Sequence, residues 1–434
     1  MSQPNHIPAA APEPTGYFPA FESPFLHAPE GARTVFLVTA AAACGPLAAG
    51  LVLFGWRAGV VTALCVAACV LTERLYFFVT RTPALLGRSH GYLTALLLAL
   101  TLPAYVPWYV PVVAGVFAII VGKGIFGGVG HFLWQPALVG RLAVAVMFPV
   151  VLAGPDARLS GTGAILAQEN LVVGDIRDAR YVSDFRQWRN HPAPEGADAL
   201  LVDQPVSLLR GLTQAPQPPY SALAEVPTDL PRAKPAALRS LPRINALLLG
   251  ARPGGIGETC ALIIVVAGLY LVYRNYVKIE LPLAFLLAAA AVAAVAPVRL
   301  AGPQDTVVTM WFPILGDRFS EGQTQLDVGF VYVWYQLLSG AMFLAAFFLA
   351  TEMTSRPVTS GGQVIFGVGA GALAMLLKLY FDTPIPSYMA VLAMNTLTPT
   401  IDAIWRPRVL GQRHFSMFRP RGRRVTKPSP PAGA

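Results

Sequence analysis

The chain has 434 residues, of which 55% are hydrophobic and only 13% charged, with a formal net charge of +9. Soluble domains carry roughly a quarter charged residues, so this composition, with a mean hydropathy of +0.55, excludes an ordinary soluble globular protein. It also excludes nucleic acid as the reason for the positive charge, because the basic excess sits at the C-terminal end beside apolar runs.

Residues 1–33 are Pro- and Ala-rich with one Arg and no Lys, so they read as a tail without the charged start of a signal peptide. A span across the apolar core of a bilayer needs about 20 residues. Ten segments approach that length, several of them short: 34–54, 57–79, 91–102, Trp108 to Gly122, 137–153, 258–273, 281–297, 330–350, 362–380 and 387–404. The third stops at Pro103. The expected organisation is an N-terminal tail (1–33), a first transmembrane repeat (34–153), a large extracytoplasmic loop (154–256), a second repeat (257–405) and a basic cytoplasmic tail (406–434). The fold class is all-α integral membrane, with about ten helices in two five-helix repeats containing broken helices.

Charge asymmetry orients these spans. With the N-terminus inside, Arg81, Arg88, Lys123, Arg274, Lys278 and Arg356 fall in inside loops, and eight basic residues from Arg406 to Lys427 fill the inside tail. The short outside loops 55–56, 103–107 and 381–386 hold no Lys or Arg. This is the positive-inside pattern, with both termini expected on the cytoplasmic side. Trp108, Trp134, Trp311, Trp334 and Trp405 are placed at span ends as interfacial anchors. The four cysteines lie in apolar runs without a CxxC pair, and Cys65 and Cys69 share a helix face as packing residues.

Residues 122–141, GKGIFGGVGHFLWQPALVGR, carry four closely spaced glycines where a membrane helix would continue. Broken backbone at that depth survives only inside protein or along a cavity, so this turn is expected at the functional centre. A second IFG, at Ile365-Phe366-Gly367, suggests an equivalent turn in the second half, and the odd number of spans per half favours inverted repeats.

The same stretch resembles the NqrB/RnfD family: Ile125-Phe126-Gly127-Gly128, Pro136-Ala137-Leu138 and Gly140-Arg141 match its signature, with Phe132 and Gln135 where relatives show asparagines. The resemblance continues in Pro253-Gly254-Gly255-Ile256-Gly257-Glu258-Thr259, with one substitution at Gly255, in Leu338-Ser339-Gly340, Phe347-Phe348, Ala350-Thr351, with Glu352 in place of the usual Asp, Pro357-Val358-Thr359 and Gly362-Gln363, and in Met394-Asn395, Pro399 and Ile401-Asp402. It implies a membrane subunit of a redox-driven complex that moves Na⁺ or H⁺, acting with other subunits and without independent catalysis. It also implies FMN or riboflavin as cofactor, FMN being joined to a threonine of an S-G-A-T motif. This chain lacks that motif; Thr162, Ser207 and Thr213 are the nearest hydroxyls, and a loop without covalent flavin is the better reading. A stand-alone ion or small-solute channel or transporter is the alternative that broken-helix repeats suit equally well.

The candidate ion-path or cofactor-contact residues are Gly127, Gly128, Gly130, His131, Glu258, Thr259, Ser339, Gly340, Thr351, Glu352 and Thr359. Ionisable groups within a bilayer are functional candidates by default. Glu258 reads equally well as a helix-capping acid, Glu352 as an ordinary loop charge, and His131 as a hydrogen-bonded structural histidine. Glu73-Arg74 reads as interfacial and structural. No metal site is expected, and the partners expected besides the other subunits are the bilayer and the ion.

Overall fold

The computed structural model describes residues 31–81, 90–127, 131–152, 244–250, 254–301, 307–312, 330–381, 383 and 385–405. The expected N-terminal and basic tails, and nearly all of the 154–256 loop, lie outside these residues.

The elements, in chain order, are α1 (Ala32–Phe54), α2 (Trp56–Thr80), α3 (Gly91–Thr101), α4 (Tyr109–Ile119), α5 (Pro136–Met147), α6 (Pro149–Leu152), α7 (Ile244–Leu249), α8 (Ala261–Tyr273) and α9 (Glu280–Val295). Then come β1 (Val298–Ala301), β2 (Val307–Met310), α10 (Phe330–Leu338), α11 (Met342–Leu344), α12 (Ser360–Tyr380) and α13 (Pro386–Ile404). Two π turns extend helices: Ile120–Gly124 continues α4, and Ala345–Leu349 continues α11.

The apolar helices fall where hydropathy places them. α1, α2 and α12 are each long and apolar enough to cross a membrane, and α10 with α11 makes a fourth candidate if that bent pair is one span. Large apolar side chains point outward along them, among them Leu71 at 70% exposure and Phe78 at 82%. A soluble surface rarely leaves such patches uncovered; lipid covers them.

Several expectations change. The 330–350 segment is not one straight span: it bends by 66° between α10 and α11, at Ser339-Gly340, where Gly340 takes φ 152°. The fifth segment breaks at Phe148, because the residue before Pro149 is driven out of the helical region. The chain is not purely helical: β1 and β2 pair antiparallel, Val298 opposite Met310 and Ala301 opposite Val307. Val307, Val308 and Thr309 favour that extended form. The two IFG sequences are not equivalent either. Ile125-Phe126-Gly127 forms a turn beyond a π turn, whereas Ile365-Phe366-Gly367 lies within the body of α12.

Packing runs in parallel through the two halves. α2 lies on α3 and α4, and α4 on α5; α9 lies on α10 and α12, and α12 on α13; α1 meets α8 across the molecule. α5 opens on Pro136 with Pro149 just beyond it, and α13 opens on Pro386 and holds Pro399 at the same spacing. Glycine sets how closely these helices approach. A methyl at Gly140 would fall on the carbonyl of Ala114 in α4. Gly367 and Gly371, one turn apart on α12, face the backbone of α9 at Leu281 and Phe285. Cys65 and Cys69 are buried packing residues, with Cys69 Sγ 3.9 Å from the carbonyl of Gly115.

Candidate functional site

Among the described residues, three buried polar centres interrupt this apolar body. The first lies where the two π turns deliver charge. Lys123 sits in the Ile120–Gly124 turn at 3% exposure and its Nζ donates to Glu73 Oε1 of α2 at 3.5 Å. Glu352 comes just after the Ala345–Leu349 turn; its Oε2 is buried without a hydrogen-bond donor among the described residues, and its charge acts on the same ammonium. A π turn inserts one residue into the helix and rotates the residues after it, which aims these side chains inward. Tyr76 anchors the first turn by donating to Gly124 O at 3.0 Å, and Thr351 secures the second by donating to Phe347 O at 2.6 Å. Gly91, opening α3, has no side chain because one would strike the Glu73 carboxylate at 2.5 Å. The loops beyond the two π turns meet α13: Trp134 Nε1 donates to Thr396 Oγ1, and Thr398 Oγ1 donates to Ser355 O.

The second centre closes the end of α3. This helix is buried along its length and stops inside the protein, so its last carbonyls need partners. Thr101 Oγ1 donates to Leu98 O, Gly257 N to Leu100 O, Arg141 Nε to Thr101 O at 3.0 Å, and Ile256 N to Leu102 O. The Gly140-Arg141 pair thus acquires a reason: glycine lets α5 touch α4 and arginine caps α3. Glu258 holds the 254–258 turn in shape by accepting from Gly255 N at 3.1 Å, and it accepts the phenolic proton of Tyr388 on α13. It does not cap α8, which starts at Ala261 behind Cys260. Glu258→Ala should remove both contacts and destabilise the protein by roughly 1–3 kcal/mol, read as a lower melting temperature in detergent, with Glu258→Gln in between.

The third centre lies at the end of α10. Lys378 of α12, at 3% exposure, donates to Gln336 O and to Ser339 Oγ at 2.8 Å, and Gln336 Nε2 donates to Tyr332 OH.

The remaining expected site residues scatter. Gly127 serves its turn through φ +94° with open space around it. His131 is exposed and stands outside the three centres. Thr259 is buried, its Oγ1 without a hydrogen bond among the described residues. Thr359 caps α12, accepting from Gly362 N at 3.1 Å and donating to Trp405 O. Gly128, Gly130, Thr162, Ser207 and Thr213 lie outside the described residues, the covalent-flavin candidates among them. Phe132 is buried, and Gln135 spends its side-chain oxygen capping α5 through Leu138 N at 3.2 Å. Lys123, Arg141, Lys378 and Tyr388 are the residues that sequence reasoning misses, while Glu73, read there as interfacial, pairs inward with Lys123. A lysine or arginine inside an apolar run is the available signal for three of them.

Apolar helices interrupted in mid-body, with charge gathered at the interruptions, define a polytopic membrane protein that handles ions or polar solutes. The chain belongs to the NQR2, RnfD, RnfE family, whose sequence model matches residues 20–411. Its relatives include the D subunit of the ion-translocating oxidoreductase complex of Halorhodospira halophila, 29% identical over 90% of this chain and 94% of that protein. The D subunit of the proton-translocating ferredoxin:NAD(+) oxidoreductase complex of Clostridium ljungdahlii is 27% identical over 91% and 97%. The Na(+)-translocating counterpart of Acetobacterium woodii is 26% identical over 90% and 94%.

Proposed function

We propose that this chain is the D-type membrane subunit of a redox-driven, ion-translocating electron-transport complex in a bacterial inner membrane, and that its ion path passes the Glu73–Lys123–Glu352 centre. Ten spans in two inverted five-helix halves, both termini cytoplasmic and the 154–256 segment outside, accommodate the parallel packing and the two interrupted helices. Family membership supports the complex, since full-length relatives are subunits of such complexes.

One observation carries the ion path: the buried Lys123 ammonium pairs with Glu73 of the first half at 3.5 Å, and the buried Glu352 carboxylate of the second half, its Oε2 without a hydrogen bond among the described residues, is near enough for its charge to act on the same ammonium. With both carboxylates ionised the centre holds one net negative charge, which one Na⁺ or one H⁺ neutralises. A buried excess charge is expensive unless a counter-ion answers it, so the centre favours a single monovalent cation. The relatives' names include both ions, and nothing in the centre's chemistry selects between them.

Flavin enters only as a family expectation. FMN or riboflavin would supply one-electron chemistry near this subunit, and this chain offers no S-G-A-T threonine for a covalent bond. Denatured protein should therefore give no fluorescent band in a gel; a bright band would place a flavin ester in the 154–256 segment.

The test of the main reading is purification from native membranes and then reconstitution in liposomes. Redox subunits should co-purify, and electron flow should drive Na⁺ or H⁺ uptake. Glu352→Gln should lower that uptake by about tenfold or more, the scale of roughly 1.4 kcal/mol lost at one site, while donor oxidation persists. A lone oligomer that moves solute without redox partners would replace this reading with the stand-alone transporter.

A further inference from the structure

Among the described residues, α3 and α10 end inside the protein and share a feature that the ion-path reading does not use. Each ends against a buried cation from another helix: Arg141 of α5 at the end of α3, and Lys378 of α12 at the end of α10. Arg141 is 5% exposed and Lys378 3%, so neither side chain reaches out to water or headgroups. Both helix ends are themselves fully buried, Thr101, Leu102, Leu338 and Ser339 all at 0%.

The C-terminal end of a helix carries about half a negative charge on its unpaired carbonyls. In membrane transporters with discontinuous helices, such ends and the unwound carbonyls beside them coordinate the coupling cation. In this chain those seats are taken. The Arg141 guanidinium occupies Thr101 O, and the Lys378 ammonium occupies Gln336 O with the Ser339 hydroxyl beside it. Compact, with three donors, a lysine ammonium resembles a small monovalent cation more closely than any other side chain does.

We propose that Lys378 and Arg141 are tethered cations: they fill the cation seats at the ends of the two interrupted helices, fix those ends, and close them to the transported ion. They are positioning residues, since they act through the helix ends and not on a substrate. The inference stands on the helix-end geometry and does not need the Glu73–Lys123–Glu352 path to be correct.

Lys378 gives the sharper test because its ammonium can be supplied from solution. Purified detergent-solubilised complex carrying Lys378→Ala should melt several degrees below wild type. Added n-propylammonium, which matches the three methylenes and ammonium that alanine lacks, should recover most of that loss, and n-propanol should not. Lys378→Met, which keeps the stem and lacks the charge, should stay destabilised and gain nothing from propylammonium because the stem fills the space. Lys378→Arg should stay near wild type. The proposal is overturned if Lys378→Met matches wild type, or if propanol restores Lys378→Ala as well as propylammonium does. Should Lys378→Ala not accumulate, Ser339→Ala decides: it should fold and lower the melting temperature modestly, and a wild-type melting temperature would count against a seated ammonium. All these readouts are thermal, so a failure of the ion-path reading in liposomes leaves them unaffected.

Discussion

Lys123→Met should be among the most damaging single substitutions in this protein. It would leave the Glu73 carboxylate without the ammonium 3.5 Å away and Glu352 without the positive charge that acts on it. Removing one partner of a buried ion pair destabilises by roughly 3–5 kcal/mol, more than the pair itself contributes, because an uncompensated charge stays behind. A double-mutant cycle separates the two effects. Lys123→Met with Glu73→Gln should recover a large part of the stability lost by Lys123→Met alone, measured by thermal melting of the purified complex. Additive losses would mean that the pair is not coupled as the geometry says. Ion uptake should stay low in the double variant, since the centre would then lack both a carboxylate and its counter-charge.

Gly371→Val should be comparably severe for a different reason. Gly371 lies where α12 crosses α9, and any side chain would be driven onto the carbonyl of Phe285, while Gly367 one turn earlier already faces Leu281 O at 2.7 Å from where its methyl would stand. The obstacle is backbone, which cannot rotate away as a side chain could. Overpacking a tight contact destabilises by about 1–3 kcal/mol and by more where nothing can move. Close approach through small residues is what holds helices together in lipid, where the hydrophobic effect gives no preference for helix over lipid tail. The expected result is a variant that fails to accumulate in membranes, with Gly371→Ala intermediate. Normal accumulation of both would show that α9 and α12 can separate without penalty. Gly361→Ala offers a milder comparison, because its obstacle is the Trp405 side chain and not backbone.

Both effects depend on features that the sequence exposes unequally. Gly367 and Gly371 are visible as glycines, but their partner helix is not. The IFG that Gly367 shares with 125–127 is a likeness of letters, which the fold assigns to a straight helix in one case and a turn in the other. Glu73 is visible beside Arg74, and the pair looks interfacial. The structure separates the two: Arg74 is exposed, while Glu73 turns inward to Lys123. Lys123 itself resembles a loop charge, because a π turn has no sequence signature and a lysine between glycines looks like a loop. Glu258 is legible as important, and its role differs from both ion contact and helix cap: it shapes a turn and meets Tyr388.

By itself the sequence determined the medium, the helices and the family. Few charges and long apolar runs cannot be reconciled with water, glycine and proline mark where spans break, and ordered motifs across both halves identify the lineage. Tertiary structure alone decided which charges meet. Glu73, Lys123 and Glu352 come from three segments and two halves of the chain, and Arg141 and Lys378 reach helix ends on other segments. Local pattern governs where helices form; the cost of a bare charge or an unpaired carbonyl in an apolar interior governs who must find whom, and that is settled only when the helices pack.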